Sequence, residues 1–446
     1  GHNSMETNTT GAENVAVGNY ALDNSSTSSY NVAVGYGALT QMTTGNSNTA
    51  LGHRASDAIT TASNSVSVGT DALGACTTGN ANVAIGKDTL TQLTTQSEMV
   101  AVGFKALEAN TTGYHNTAVG SYAADAVTTG IRNTALGYGS LTSATTGNYN
   151  TAIGYGTLAD VNTENNTAVG HAALTAATTG GNNTAVCKGA GDAITTSGAN
   201  TLVGALAGSA HATGGGLTAF GFEAGVLCTN SGNTFIGTEA GESNTTGYNN
   251  TFLGNDAGDS VTTGYNNTCI GINNNPNAAT NSGEIVLGHD LTGVGTNYFT
   301  FGTGNGNDRV YNYYTSNNSW TRVSDERYKK EITDNTDCGL DFINELRPVT
   351  FKWKAKAELD KSLPDYDEDK TEAEHSQKLY GLIAQEVKAA MDKHNITDFG
   401  GWSETPGSKL QGISQEMFVH PLIKAVQELS AEVTTLKSEI ATLKGG

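Results

Sequence analysis

No stretch of this chain reads as a membrane span, a metal framework or a surface for polyanions. No run of about 18 apolar residues occurs, so no segment is expected to cross a bilayer as a helix. Basic residues are scarce. The 23 Lys and Arg stand against 43 Asp and Glu, a formal charge of −20. Phosphate binding needs a basic patch, so a nucleic-acid partner is excluded. The five cysteines (Cys76, Cys187, Cys228, Cys269 and Cys338) are odd in number, irregularly spaced and form no CxxC pair. They read as small buried thiols rather than a disulfide or zinc framework, which suits assembly in a reducing cytoplasm. Proline occurs five times against 56 glycines, but the Gly-X-Y period of collagen is absent. The start, Gly1-His2-Asn3-Ser4-Met5, has no apolar signal core, and residues 1–8 are set aside as a tag remnant and new start. No cofactor is expected.

What the chain does contain is a repeat. Gly18, Gly35, Gly52, Gly69, Gly86, Gly103, Gly120, Gly137 and Gly154 are each 17 residues apart. The series continues at Gly170, Cys187, Gly204, Gly221, Gly237, Gly254, Gly271 and Gly288, and only the steps to Gly170 and Gly237 are 16. These 17 registers span residues 9–290. The pattern reads Asn-Thr-Ala-Val-Gly-x-x-Ala-Leu, followed by a loop often written Thr-Thr-Gly-x-Asn.

The position before the glycine is apolar in every register, from Val17, Val34 and Leu51 to Ile270 and Leu287. That constancy predicts a column facing a continuous core. The Val or Thr two residues earlier would share its face, since strand side chains alternate. The Ala between them, with the Gly, would permit close backbone approach on the other face. The loop Gly would supply a positive φ to a turn. Four residues before the glycine, 13 of 17 registers carry Asn, which can form a hydrogen-bonded ladder when stacked. One short strand cannot bury its own apolar face, but stacked turns can. Seventeen rungs at about 4.8 Å give a rod on the order of 80 Å long.

Sharper readings of the repeat find little support. A calcium-binding roll needs a repeated aspartate, whereas Asp57, Asp88, Asp125, Asp160 and Asp192 fall at shifting registers. An ice-binding face needs a flat threonine surface, and a threonine sharing its face with a core valine would not supply one. A glycosidase needs two facing carboxylates about 5–9.5 Å apart, and the repeat singles out no pair.

Residues 291–323 break the period. Tyr298–Phe301 and Arg309–Tyr314 alternate at strand spacing with Gly/Asn turns between them, a short aromatic β neck whose rings serve either packing between subunits or stacking on carbohydrate. At residue 323 the composition changes. The first 323 residues carry 27 charged side chains and the last 123 carry 39, which marks a domain boundary.

On that boundary lies Ser324-Asp325-Glu326-Arg327-Tyr328-Lys329. A serine hydroxyl is a poor nucleophile until a base takes its proton. Lysine can be that base when burial lowers its pKa. A nucleophile that belongs to the scissile peptide needs only tight local geometry. The plainer alternative is a Ser-Asp helix cap followed by solvated lysines.

Three blocks settle on one resemblance. Ser324-Asp325-Glu326-Arg327-Tyr328-Lys329-Lys330-Glu331-Ile332, then Leu346-Arg347-Pro348-Val349-Thr350-Phe351-Lys352-Trp353, then Tyr380-Gly381-Leu382-Ile383-Ala384-Gln385-Glu386-Val387 resemble the C-terminal intramolecular chaperone of phage tail fibres and endosialidase tailspikes. The likeness covers about 324–446. It implies a trimerising domain that templates folding of the fibre upstream and then cuts itself off. Carried over, Ser324 is the nucleophile, Lys329 the general base and Ser324–Asp325 the bond at the cleavage site. The strand motif of the repeat is similar to the head repeats of trimeric autotransporter adhesins, which are shorter.

Residues 355–378 are charged and lack an apolar period, as a solvated loop or helix face would. At the end, Leu422, Val426, Leu429, Val433, Leu436, Ile440 and Leu443 step by four and three, a heptad seam in a coiled coil over 418–444. Val/Ile against Leu favours two strands in peptides, whereas the resembled family is trimeric.

The expected fold is therefore mainly β: an elongated trimeric parallel β-solenoid or β-roll (9–290), the neck (291–323), and an α+β chaperone domain (324–446) ending in a coiled-coil helix. The expected function is a structural, receptor-binding tail fibre of a phage virion, assembled in the host cytoplasm. Its only enzymatic act would be self-cleavage. Its partners would be two further copies of itself, other tail proteins and a host surface receptor, with glycans the class considered. The rivals are a polysaccharide-degrading tailspike and a fragment of a bacterial trimeric adhesin.

Overall fold

A computed structural model describes residues 1–304, 309–314, 321–322, 326, 329–361, 363, 366–372, 377–405 and 409–445. The chain divides into two compact units, Gly1–Tyr328 and Lys329–Gly446.

The first unit is a parallel β-solenoid of 17 turns. Its strands run from β1 (Val15–Val17) to β17 (Ile285–His289), each paired in parallel with the next. Pairing is column on column: Val15 opposes Val32, Ala16 opposes Ala33 and Val17 opposes Val34. The two 16-residue steps keep this register, as Thr151 opposing Thr167 shows. β18 (Tyr298–Thr303) joins in parallel as one more rung. β19 (Arg309–Tyr313) and β20 (Thr321–Arg322) then pair antiparallel, so the open edge of the parallel stack is covered by a hairpin. Residues 1–8 also enter the stack. The Met5 N–H donates to the Ala21 carbonyl (3.0 Å), and the Met5 side chain packs against the core.

The facing of the columns is the reverse of the expectation. The middle residue of each strand points inward: Ala33, Ala50, Ala84, Ala101 and Ala118 are fully buried. The flanking Thr/Val and Val/Ile/Leu columns point outward, with Val17 56%, Leu51 47%, Leu136 45% and Phe220 55% exposed. The reason is volume. A 17-residue coil encloses a narrow interior, and the Leu of Ala-Leu already fills it (Leu39, Leu73, Leu107 and Leu141, all fully buried). The ground on which a threonine face was set aside falls with this correction. What argues against an ice-binding face is the bulky apolar column standing beside the threonines.

Those core leucines adopt a left-handed backbone, φ 54° at Leu39, 57° at Leu73 and 51° at Leu107. The conformation costs about 1–2 kcal/mol per residue. Burying the side chain returns about 1.5–3 kcal/mol, so the column is tolerated in turn after turn. Where the strand residue grows, this column shrinks. Leu202 is met by Gly191 and Gly208, Phe235 by Gly225 and Gly241, and Phe252 by Gly258. A Cβ on Gly258 would lie 2.4 Å from Phe252 Cδ2. Total volume is conserved while its owner changes.

The repeating glycine has a different task. At φ 135° (Gly18), 142° (Gly35) and 147° (Gly52), a Cβ there would meet the carbonyl oxygen of the next rung's glycine at 2.1–2.4 Å. Cys187 takes this position at φ 101° and is exposed, the one departure from glycine in the column. The loop glycine of Thr-Thr-Gly does not use a positive φ, contrary to expectation. It is there because a Cβ on Gly45 would sit 2.0 Å from the Ala62 carbonyl oxygen.

The asparagine ladder is present, mainly as amide to backbone. Asn133 Oδ1 accepts the Asn150 N–H (2.9 Å), and its Nδ2 donates to the Gly147 carbonyl (2.9 Å). The same pair of bonds recurs at Asn31, Asn48 and Asn250. Buried amides cost energy unless paired, and this column pairs both ends. A second ladder runs through the loops, where Thr43, Thr77 and Thr111 hydroxyls donate to the threonine carbonyl one rung on. In the seventeenth rung Glu284 replaces Asn. Its buried carboxylate accepts the N–H groups of Gly295 (2.7 Å) and Asn277 (3.1 Å), which fixes the closing loop.

The second unit is small. α1 (Leu340–Glu345) and α2 (Ala384–Lys393) enclose a core of Cys338, Phe342, Val387, Ala390, Met391 and Ile396. Two antiparallel pairs, β21 (Val349–Phe351) with β22 (Leu379–Gly381) and β23 (Trp402–Glu404) with β24 (Gln411–Ile413), complete it. The terminal helix α3 (Val419–Gly445) buries only Pro421 and Ala425.

Two predictions follow from the coil interior. Phe252→Ala should cost about 3–5 kcal/mol, and adding Gly258→Leu should recover at least half of it in denaturant titrations. A double variant no better than the single one would refute the volume exchange. The second concerns His211, fully buried, with Nδ1 3.2 Å from the Cys228 carbonyl oxygen. Burial holds its pKa below the ordinary value. The folded chain therefore binds fewer protons than the unfolded one just below pH 6.5, and stability present above that pH is lost as pH falls, by up to about 1.4 kcal/mol per unit. His211→Val should melt higher at pH 5.5 with little change at pH 8. Equal shifts at both pH values would contradict the assignment.

Candidate functional site

The first of the three sequence blocks stands at the junction of the two units. Ser324 and Asp325 lie outside the described residues. Lys329 is described and is exposed.

The other two blocks are brought together. Val349, Thr350 and Phe351 of the second pair antiparallel with Gly381, Tyr380 and Leu379 around the third. Arg347 forms an ion pair with Glu386, its Nε donating to Oε2 at 3.1 Å. This pairing draws the Glu386 carboxyl below the ordinary range and raises Arg347. The bond joins the strand entry to the first turn of α2, where a carboxylate also suits the helix dipole. Glu428 of α3 accepts the Leu340 N–H (2.6 Å) and so caps α1 from another helix. Lys393 donates to Glu345 (2.5 Å), tying α2 to α1. The two blocks are the scaffold of this unit, a role their spacing did not disclose.

Much of this unit's apolar surface is uncovered. Trp353 is 59% and Tyr380 74% exposed. A groove of about 500 Å³ runs beside Phe351, Trp353, Leu382 and Ile413. The heptad seam of α3, from Leu422 to Leu443, is exposed along its length. The terminal helix thus keeps one apolar stripe in water.

On the solenoid, the aspartates weighed for calcium do not converge. Asp57, Asp125 and Asp192 occupy the same column four rungs apart, about 19 Å at 4.8 Å per rung. Asp57 pairs with Arg54 (2.8 Å), and burial raises the carboxyls of Asp125 and Asp192. Aromatic side chains form ladders on the corners of the coil that the sequence did not suggest, because the rings sit at two neighbouring repeat positions. Tyr138, Tyr155 and His171 stack at 5.4 and 5.2 Å, and Tyr36 stacks on His53 at 5.5 Å. Arg132 lies against the rings of Tyr114 and Tyr149.

The chain is thus a parallel β-solenoid protein with a small α+β domain after it, that domain carrying exposed apolar surfaces. Residues 324–396 match a protein-family model described as chaperone of endosialidase, beginning at Ser324. With the solenoid ahead of it, the match supports a C-terminal chaperone domain of the tail-fibre and endosialidase type. No curated protein and no solved structure matches the chain.

Proposed function

We propose that this chain is a homotrimeric tail fibre of a phage virion that attaches to a host surface receptor. Its C-terminal domain gathers three copies, guides the stacking of their solenoids and then cuts the chain at Ser324. The observation that supports this most is the outward facing of the apolar strand columns over 17 rungs. A single chain leaves that stripe in water, and three chains turned toward a common axis would cover it. The exposed seam of α3 has the same requirement, and the matched family supplies a domain with an assembly role.

Parallel pairing over a long stack is slow, and uncovered faces aggregate while it proceeds. A domain that trimerises first raises the effective concentration of the three fibres for one another. Removing it afterwards locks the product kinetically. In the cleavage step Ser324 Oγ attacks the carbonyl of an adjoining peptide bond while Lys329 Nζ takes the hydroxyl proton; the C–N bond breaks as that proton passes to the leaving amine, and water then hydrolyses the ester to a free acid and the serine hydroxyl. Association would supply the burial that Lys329 lacks in one chain, so cutting would wait for assembly.

On a denaturing gel the purified wild type should run as two fragments meeting next to Ser324, and Ser324→Ala should run as one full-length band. A full-length wild type after prolonged incubation of the assembled protein would defeat the cleavage proposal.

A further inference from the structure

We propose that a notch over Gly37, on the flank of the second and third rungs, is a binding subsite for an uncharged hexose unit of a surface glycan. This rests on the receptor-binding reading and adds a place and a ligand class to it. One column places Tyr20, Gly37 and Arg54 on successive rungs. Glycine in the middle leaves a gap one side chain high, and the resulting cleft holds about 420 Å³. That is within the range of small-ligand sites.

The walls have the chemistry of sugar recognition. Tyr20 and Tyr36 meet edge to face, 78° apart with centroids at 5.7 Å, and form an aromatic corner for the C–H face of a pyranose. Tyr36 is also stacked on His53, at 12° with centroids at 5.5 Å. Across the gap, Arg54 Nε donates to Asp57 Oδ2 (2.8 Å). The ion pair fixes the guanidinium and leaves its terminal N–H groups for sugar hydroxyls, with Asp57 as acceptor beside them. The Thr40 hydroxyl donates to the Gly37 carbonyl (2.6 Å) and sets the floor.

Charge selects among sugars. Asp71 also approaches Arg54 (3.9 Å), so two carboxylates face one guanidinium, in a chain of net charge −20. An acidic sugar would meet an excess of like charge, whereas a neutral hexose would not.

The test is saturation-transfer NMR on the full-length protein with the methyl glycosides of glucose, galactose, mannose and N-acetylglucosamine, and with N-acetylneuraminic acid as the charged comparator. At least one neutral glycoside should receive saturation from tyrosine ring protons. Gly37→Asn fills the notch with a residue that tolerates a positive φ, and Arg54→Ala removes the donors. Both should weaken binding at least tenfold with unchanged melting temperatures. Saturation of none of the neutral sugars, equal binding by both variants, or preference for the acidic sugar would overturn the proposal. Adsorption of labelled protein to a panel of bacterial strains separates it from its premise. Equal adsorption of wild type and Gly37→Asn overturns the notch while the receptor reading stands, and no adsorption of wild type to any strain removes the receptor reading itself.

Discussion

Everything in the solenoid depends on one constraint: each turn must lie directly on the last at the spacing of a hydrogen-bonded β-ladder. At that spacing a residue's nearest neighbours are its own column mates. A glycine is required where two backbones meet, so a Cβ on Gly35 would lie 2.1 Å from the Gly52 carbonyl oxygen. A left-handed leucine is tolerated because the interior needs its volume. An asparagine recurs because its amide can serve the rung above and the loop beside it. The repeat is the record of these column-by-column demands.

The same constraint decides what stays outside. At the strand the interior accommodates either a small residue facing a leucine or a large one facing a glycine, as the exchange of Ala and Leu for Phe252 and Gly258 shows. The β-branched and long apolar residues of the flanking columns have no room within, and they remain on the sheet face. In water such a stripe is a liability unless it is covered. The assembly proposal rests on this, together with the matched chaperone segment and the exposed seam of α3.

The period, the strand positions and the ladder could be read from the sequence because each is a matter of spacing. The direction of the side chains could not. In a three-residue strand, alternation allows two faces, and ordinary hydrophobicity selects Val and Thr as the inner one. Only the coil's width overrules that choice, and width is not written in any single repeat. The same holds for the Thr-Thr-Gly glycine, whose role is approach to the Ala62 carbonyl and not φ. At the boundary, the chaperone-type segment was legible through a motif. The pairing of its second and third blocks through Arg347 and Glu386 was not, since 39 residues separate the partners. The notch at Gly37 was equally hidden, because it arises from three residues 17 apart whose meeting depends on the stack.

The central claim is that the outward apolar columns are covered by other copies of the chain. Sedimentation equilibrium of the uncut Ser324→Ala protein at submicromolar concentration tests it most directly. The account predicts a single species of three times the 45.9 kDa chain mass. A stable, soluble particle of one chain mass, with its sheet face in water, would contradict it.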